Sequence, residues 1–182
     1  MKQIELLMDA HALDLALTRM AHQILERNRT RNNFGIVGMQ TRGVFLAQRI
    51  VAKINAMEKA AHTAGILDVT LYRDDFRMAF KQPSVKVTDI PFDINGRDVV
   101  LVDDVLYTGR TVRAALDALT DFGRPRTIQL AVLVDRGMRE FPIRADYIGR
   151  DVVTQKDQVV SLKVQEHDGE DSLWLTQLEQ GE

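Results

Sequence analysis

Apolar residues along this chain fall into two rhythms. Leu13, Leu17, Met20 and Ile24 recur at three- and four-residue spacing and predict a helix over residues 9–26 as the first element, with Asp9 placed to cap it. FGIVGM, residues 34–39, is instead a short unbroken apolar run, as expected of a strand covered on both faces. Phe45, Leu46, Ile50, Ile54 and Met57 give a second helix over residues 44–61, and residues 66–72 a second strand. VVLV at 99–102 is the third buried run. After Thr111 a helix is expected to reach Phe122, with Ala115, Leu116, Leu119 and Phe122 inward, Gly123 just past its end and Pro125 beyond. TIQLAVLV at 127–134 makes a fourth strand. From Tyr147 onward the pattern alternates, and strand candidates at 159–164 and 173–178 predict an antiparallel edge plus a small hood. Strands alternating with helices imply an α/β fold with a central, mostly parallel sheet flanked by helices.

Every buried run ends in charge: Thr41-Arg42, Arg73-Asp74-Asp75, Asp103-Asp104 and Asp135-Arg136. In open α/β sheets ligands bind outside the carboxyl ends of the strands, so four such ends on one edge build a site. Gly38 and Gly43 have the spacing of a nucleoside-triphosphate loop, but Val44 and Phe45 stand where Lys and Ser or Thr are needed, which excludes that loop. A guanidinium and a hydroxyl beside backbone amides remain, a cradle for a diphosphate. Thr108-Gly109-Arg110-Thr111 suits a phosphate monoester: a glycine for close approach, two hydroxyls, and amides opening a helix. The adjacent aspartates point to opposite sides of their strand, so one can face a ribose diol or its metal. Residues 76–89 are polar and aperiodic, carry Arg77, Lys81 and Lys86, and read as a mobile basic flap; Asn95-Gly96 is a turn.

Composition narrows the field. At 182 residues the chain is expected to form one domain, 1–182. A net charge of −2 makes no general case for nucleic acid, and the absence of cysteine excludes disulfides and thiolate metal sites. Lys2, Glu5, Asp9 and Asp14 interrupt the first apolar run, so neither a signal peptide nor a membrane span is expected, and a cytoplasmic protein is.

The run VVLVDDVLYTGRT resembles the signature of the type I phosphoribosyltransferases, which use 5-phosphoribosyl-1-diphosphate (PRPP). LTRMAHQILERN, TRGVFLAQRI, DVTLYRDDF and VLVDRGMREFPIRADYIGRDV narrow the resemblance to a branch that joins uracil phosphoribosylation to attenuation of the pyrimidine operons. The resemblance implies the family fold with a hood and a flexible loop, Mg²⁺-dependent conversion of uracil and PRPP to UMP and diphosphate, and UMP-responsive binding to pyr mRNA leaders by a homodimer or tetramer. It assigns catalysis to Asp103, Asp104 and Arg42. PRPP falls to Thr41, Arg42, Val99, Val100, Leu101, Val102, Asp103, Asp104, Val105, Leu106, Tyr107, Thr108, Gly109, Arg110 and Thr111. Asp74, Asp75 and Asp103 meet the metal, mainly through water, and Val134, Asp135, Arg136 and Val160 line the base pocket. RNA falls to Thr18, His22, Arg27, Arg139 and Arg144. The peptide before the basic residue of the diphosphate loop, here Thr41–Arg42, is expected to be cis. One departure stands out: the usual DRGHRE is DRGMRE, with Met138 in place of His. The acidic tail, Glu166, Asp168, Glu170 and Asp171, would oppose RNA if it lay near that face. A transferase for another nucleobase, and a PRPP- and UMP-sensing regulator with little turnover, are the alternatives.

Overall fold

The structure, a computed structural model, describes residues 2–29, 33–73 and 87–178. Five of the runs that end in charge or border them form one parallel sheet: β2 (Phe34–Met39), β3 (Ala64–Leu67), β4 (Asp98–Leu106), β5 (Thr127–Asp135) and β6 (Tyr147–Asp151), in the order β3-β2-β4-β5-β6. Because side chains alternate along a strand, each buried run feeds two cores. Ile36, Val100, Val102, Ala131 and Leu133 face one side, where α1 (Ala10–Asn28) and α2 (Arg42–Glu58) bury Leu13, Leu17, Met20, Ile24, Leu46, Ile50 and Ile54. Val37, Met39, Val99, Leu101, Leu130 and Val132 face the other, against Val112, Ala115, Ala118 and Leu119 of α3 (Arg110–Thr120). Burial on both faces is why these strands are continuous apolar runs. Asp9 caps α1 as its sequence predicts, its carboxylate accepting from the Ala12 amide at 2.8 Å.

A second, antiparallel sheet in the order β1-β8-β7 forms the hood, from β1 (Lys2–Met8), β7 (Gln158–Lys163) and β8 (Ser172–Gln177), with the one-turn helix α4 (Gln165–Asp168) between the last two. The first element is therefore a strand and not a helix. The chain's two ends meet here, pairing Lys2 with Gln177. The edge after Tyr147 is parallel rather than antiparallel, since β6 extends the main sheet beside β5. The strand expected over 66–72 is shorter and earlier, and Thr70–Tyr72 turn as a 3₁₀ helix. Met57 and Phe122, expected inward, are exposed, each lying at or past its helix end. Most of the proposed flap, with Asp74 and Asp75, lies outside the described residues; at its far end Asp89 pairs with Ile66. Among the described residues no helix is long and apolar enough to cross a membrane.

Candidate active site at the switch point of the sheet

β2 leads outward to β3 on one side, and β4 leads to β5 and β6 on the other, so the chain reverses direction between β2 and β4. That is where an open parallel sheet leaves a crevice at its carboxyl edge. β4 is longer than its apolar run, carrying Asp103 and Asp104 within the strand before the loop begins. A pocket of about 360 Å³ opens there, lined by Arg73, Asp103 and residues 105–112. Asp103 is only 7 % exposed. Burial, and after it the neighbouring Asp104 carboxylate, pushes Asp103 well above the usual carboxylate range, with Arg73 partly opposing. A buried acid of this kind beside a second acid is a donor pair whose charge a divalent cation would neutralise, so the residues present fit Mg²⁺.

The loop after β4 is held from outside. Gly109 takes φ +91°, a left-handed conformation open to glycine, and turns the chain into α3 with its first amides toward the pocket. The Glu140 and Phe141 amides donate to the Thr108 carbonyl at 2.9 and 3.1 Å, and Arg110 bonds to Glu140 and lies over the Phe141 ring. Arg139 spends its guanidinium on the carbonyls of Tyr107, Gly137 and Ile143 and on the Asp135 carboxylate. Burial would raise Asp135, but Arg139 and the Gly137 amide hold it below its ordinary value. The segment over 135–143 thus braces the candidate phosphate loop.

Across the crevice, β2 passes into α2 through the cis Gln40–Thr41 peptide, one residue before the position expected from sequence. A Cβ on Gly43 would sit 2.6 Å from the Val102 carbonyl, so only glycine lets α2 start this close to β4. Arg42 opens the helix and makes a two-pronged pair with Asp168 of the hood, at 2.7 and 3.1 Å. Seven residues on, Arg49 pairs with both Glu166 and Asp171. Glu170 pairs with Lys163. Each acid of the tail is therefore paired, Glu166, Asp168 and Asp171 with arginines of α2 and Glu170 with Lys163 of the hood.

Other expected site residues divide. Val99, Val100, Leu101 and Val102 have side chains fully buried in the two cores, so these residues carry the site and leave only their backbone to face a ligand. Val134 is likewise a core side chain, and it shares that core with Val160 of the hood. Arg136 is buried, donates to the Thr154 hydroxyl and the Gln158 carbonyl, and lies 4.0 Å from the Tyr107 ring centroid. Burial lowers its pKa. With Asp135 it lines a second pocket of about 550 Å³, shared with Met138, Arg139 and Arg144. On α1, Thr18 donates to the Asp14 carbonyl, His22 is exposed, and Arg27 pairs with Asp146 over the Tyr147 ring. Sequence reasoning named Arg73 only as a charged strand end and Asp168 only in the acidic tail, and missed Arg49. Charge at the end of the 66–72 run was the signal for Arg73; nothing local signals a pair formed across more than a hundred residues.

The phosphoribosyl transferase domain profile matches residues 3–167. The chain is 57 % identical over 160 residues to the bifunctional protein PyrR of Deinococcus radiodurans, covering 88 % of this chain and 87 % of that one. To the protein of the same name from Clostridioides difficile it is 53 % identical over 169 residues, with 93 % and 96 % covered. Among solved structures, the hypoxanthine phosphoribosyltransferase of Trypanosoma cruzi superposes with a TM-score of 0.73 at 14 % identity, over 97 % of this chain and 98 % of that one, a likeness of fold. The chain belongs to the type I phosphoribosyltransferase family, in its PyrR branch.

Proposed function

We propose that this protein transfers the phosphoribosyl group of PRPP to N1 of uracil, giving UMP and diphosphate. One observation carries the reading: a buried acid and a helix-opening phosphate loop line a single pocket at the switch point of the sheet. The hydroxyls of Thr108 and Thr111 and the amides opening α3 take the 5′-phosphate. Asp103 and Asp104 hold the ribose hydroxyls, and Thr41 and Arg42 receive the diphosphate. The breaking C1′–O bond leaves positive charge on the ribose and negative charge on the departing diphosphate. Fixed acids and a fixed guanidinium at those two places favour that separation, and no protein nucleophile is needed. Asp103 and Asp104, with Asp74 and Asp75 outside the described residues, would hold Mg²⁺ directly or through water. When bound, Mg²⁺ would supply neutralisation of the negative charge on the departing diphosphate. Asp135, Arg136 and the hood strand at Val160 border the base. Diphosphate release measured with uracil, orotate, hypoxanthine and guanine in competition tests the assignment; preference for any base but uracil overturns it.

The second reading, RNA binding, is favoured by the identity to relatives called bifunctional and by Thr18 and His22, one turn apart on α1 away from its apolar stripe. A homodimer, or a tetramer, presents two such faces to one pyr mRNA leader. Imidazole and guanidinium groups can stack on and hydrogen-bond to unpaired loop bases. Gel-shift titration against leaders of pyrimidine genes should show binding that tightens with UMP and weakens with salt.

A further inference from the structure

Arg42 is the cation at the mouth of α2 nearest the crevice, and it is already engaged. Its Nη2 and Nε meet the two oxygens of Asp168 at 2.7 and 3.1 Å, a complete two-pronged carboxylate pair. That pair is one of several contacts that fasten the hood helix. Arg49, two turns along the same face of α2, holds Glu166 and Asp171 together, each through two hydrogen bonds or through both carboxylate oxygens. α4 is thus also held by Arg49, and by Phe45 stacked against His167, so it keeps an anchor when Arg42 is engaged elsewhere. The pair does have an electrostatic consequence: a carboxylate on the guanidinium cancels the charge an incoming anion would meet, and occupies the edge that binds phosphate oxygens in the same two-pronged way.

We propose that Asp168 competes with the diphosphate of PRPP for Arg42, weakening PRPP binding and easing the departure of diphosphate. The inference rests on Arg42 being the diphosphate ligand. Asp168 is then a positioning residue that touches neither substrate. When the anion arrives, Arg42 exchanges one two-pronged acceptor for another, and Asp168 keeps the Val164 amide it accepts from at 2.9 Å. When diphosphate leaves, the carboxylate reclaims the guanidinium.

Asp168→Asn removes the charge and keeps an oxygen for the Val164 amide; Asp168→Ser does the same with a smaller side chain, should the first variant fold poorly. Either should lower the KM for PRPP and the inhibition constant of diphosphate roughly three- to tenfold, the range of a partly exposed ion pair. The KM for uracil and inhibition by UMP should not move, and Asp168→Glu should restore the wild-type values. In an Arg42→Ala background Asp168→Asn should have no effect on PRPP, because there is nothing left to compete for. If Arg42→Ala weakens PRPP and diphosphate while Asp168→Asn leaves both unchanged or weakens them, the competition is refuted and the diphosphate assignment stands. If Arg42→Ala leaves PRPP untouched, the assignment itself fails, and the competition with it.

Discussion

Asp103 shows how one residue can work against the fold it belongs to. It is a carboxylate inside β4, directly after four apolar side chains that are fully buried. Burial first, then Asp104, raises its pKa. An acid raised in the folded state favours the protonated form there, so its contribution to stability is present below the unfolded value of about 4 and is lost as pH rises through the folded one. At neutral pH Asp103 therefore destabilises the ligand-free protein. Asp103→Asn, which can still accept from the Asp104 amide, should raise the melting temperature by a few degrees, about 2–4 °C per kcal/mol recovered, while kcat/KM falls about 100-fold or more. A lowered melting temperature would mean that the carboxylate holds a structural bond. Arg139 is the opposite case. Sequence placed it on the RNA face, but its donors brace the backbone at Leu106 and Tyr107, just before the phosphate loop, so Arg139→Gln should raise the KM for PRPP as well as weaken RNA binding. His22→Ala, on the exposed side of α1, should weaken RNA binding alone. Parallel gel shifts and PRPP kinetics separate the two variants. What sequence could read at this scale was residue type at strand ends; whether a guanidinium is spent on carbonyls or offered to a ligand depends on loops that close only in three dimensions.

Elements were legible where burial was two-sided. The runs at 34–39, 99–102 and 127–134 became strands of the main sheet because both faces are covered, and the α1 stripe became its buried side. β1 was not legible: only Leu7 and Met8 of its seven residues are buried, and its partner β8 lies at the other end of the chain. β6 hid for a similar reason, a short edge with Arg150 and Asp151 exposed. The hood helix α4 is four residues long, too short to hold itself, and depends on its ion pairs. Arg49 and Arg42 hold Glu166 and Asp168 below the usual carboxylate range, and for Asp171 the Arg49 bonds outweigh burial. Depressed acids stabilise above their unfolded values and lose that contribution as pH falls through the folded ones. Amide exchange should therefore show residues 165–171 losing protection below about pH 4 while β4 keeps its own, modestly because these acids are partly exposed. Arg49→Met should produce the same loss at neutral pH. Equal protection in the variant would mean that packing of Phe45 against His167 holds the helix instead.

At the scale of the whole molecule the parallel sheet and a site at its carboxyl edge were readable, since strand–helix alternation points to the one and charged strand ends to the other, while the strand order was not. The joining of hood and sheet was not, because it depends on contacts between the two ends of the chain. Leu7 and Met8 of β1, Val160 and Leu162 of β7 and Leu173 and Leu175 of β8 belong to the same apolar cluster as α1 and α2 and the face of the main sheet they cover. The hood has no separate core. An antiparallel sheet of three strands with one wet face gains its stability from what it packs against. We therefore propose that the 182 residues unfold as one unit. The chain supplies its own probe, since its one tryptophan, Trp174, lies in the central strand of the hood, paired with Leu6 on one side and Ser161 on the other. Thermal or urea unfolding followed by Trp174 fluorescence should superimpose on the transition followed by far-ultraviolet circular dichroism, which reports chiefly on α1, α2, α3 and the main sheet. Deleting residues 2–8 should shift both curves down together, because it strips β8 of a partner and uncovers the cluster at Leu7 and Met8. A fluorescence transition at lower temperature than the dichroism, in the intact chain at neutral pH, would make the hood a separate unit and refute the single domain.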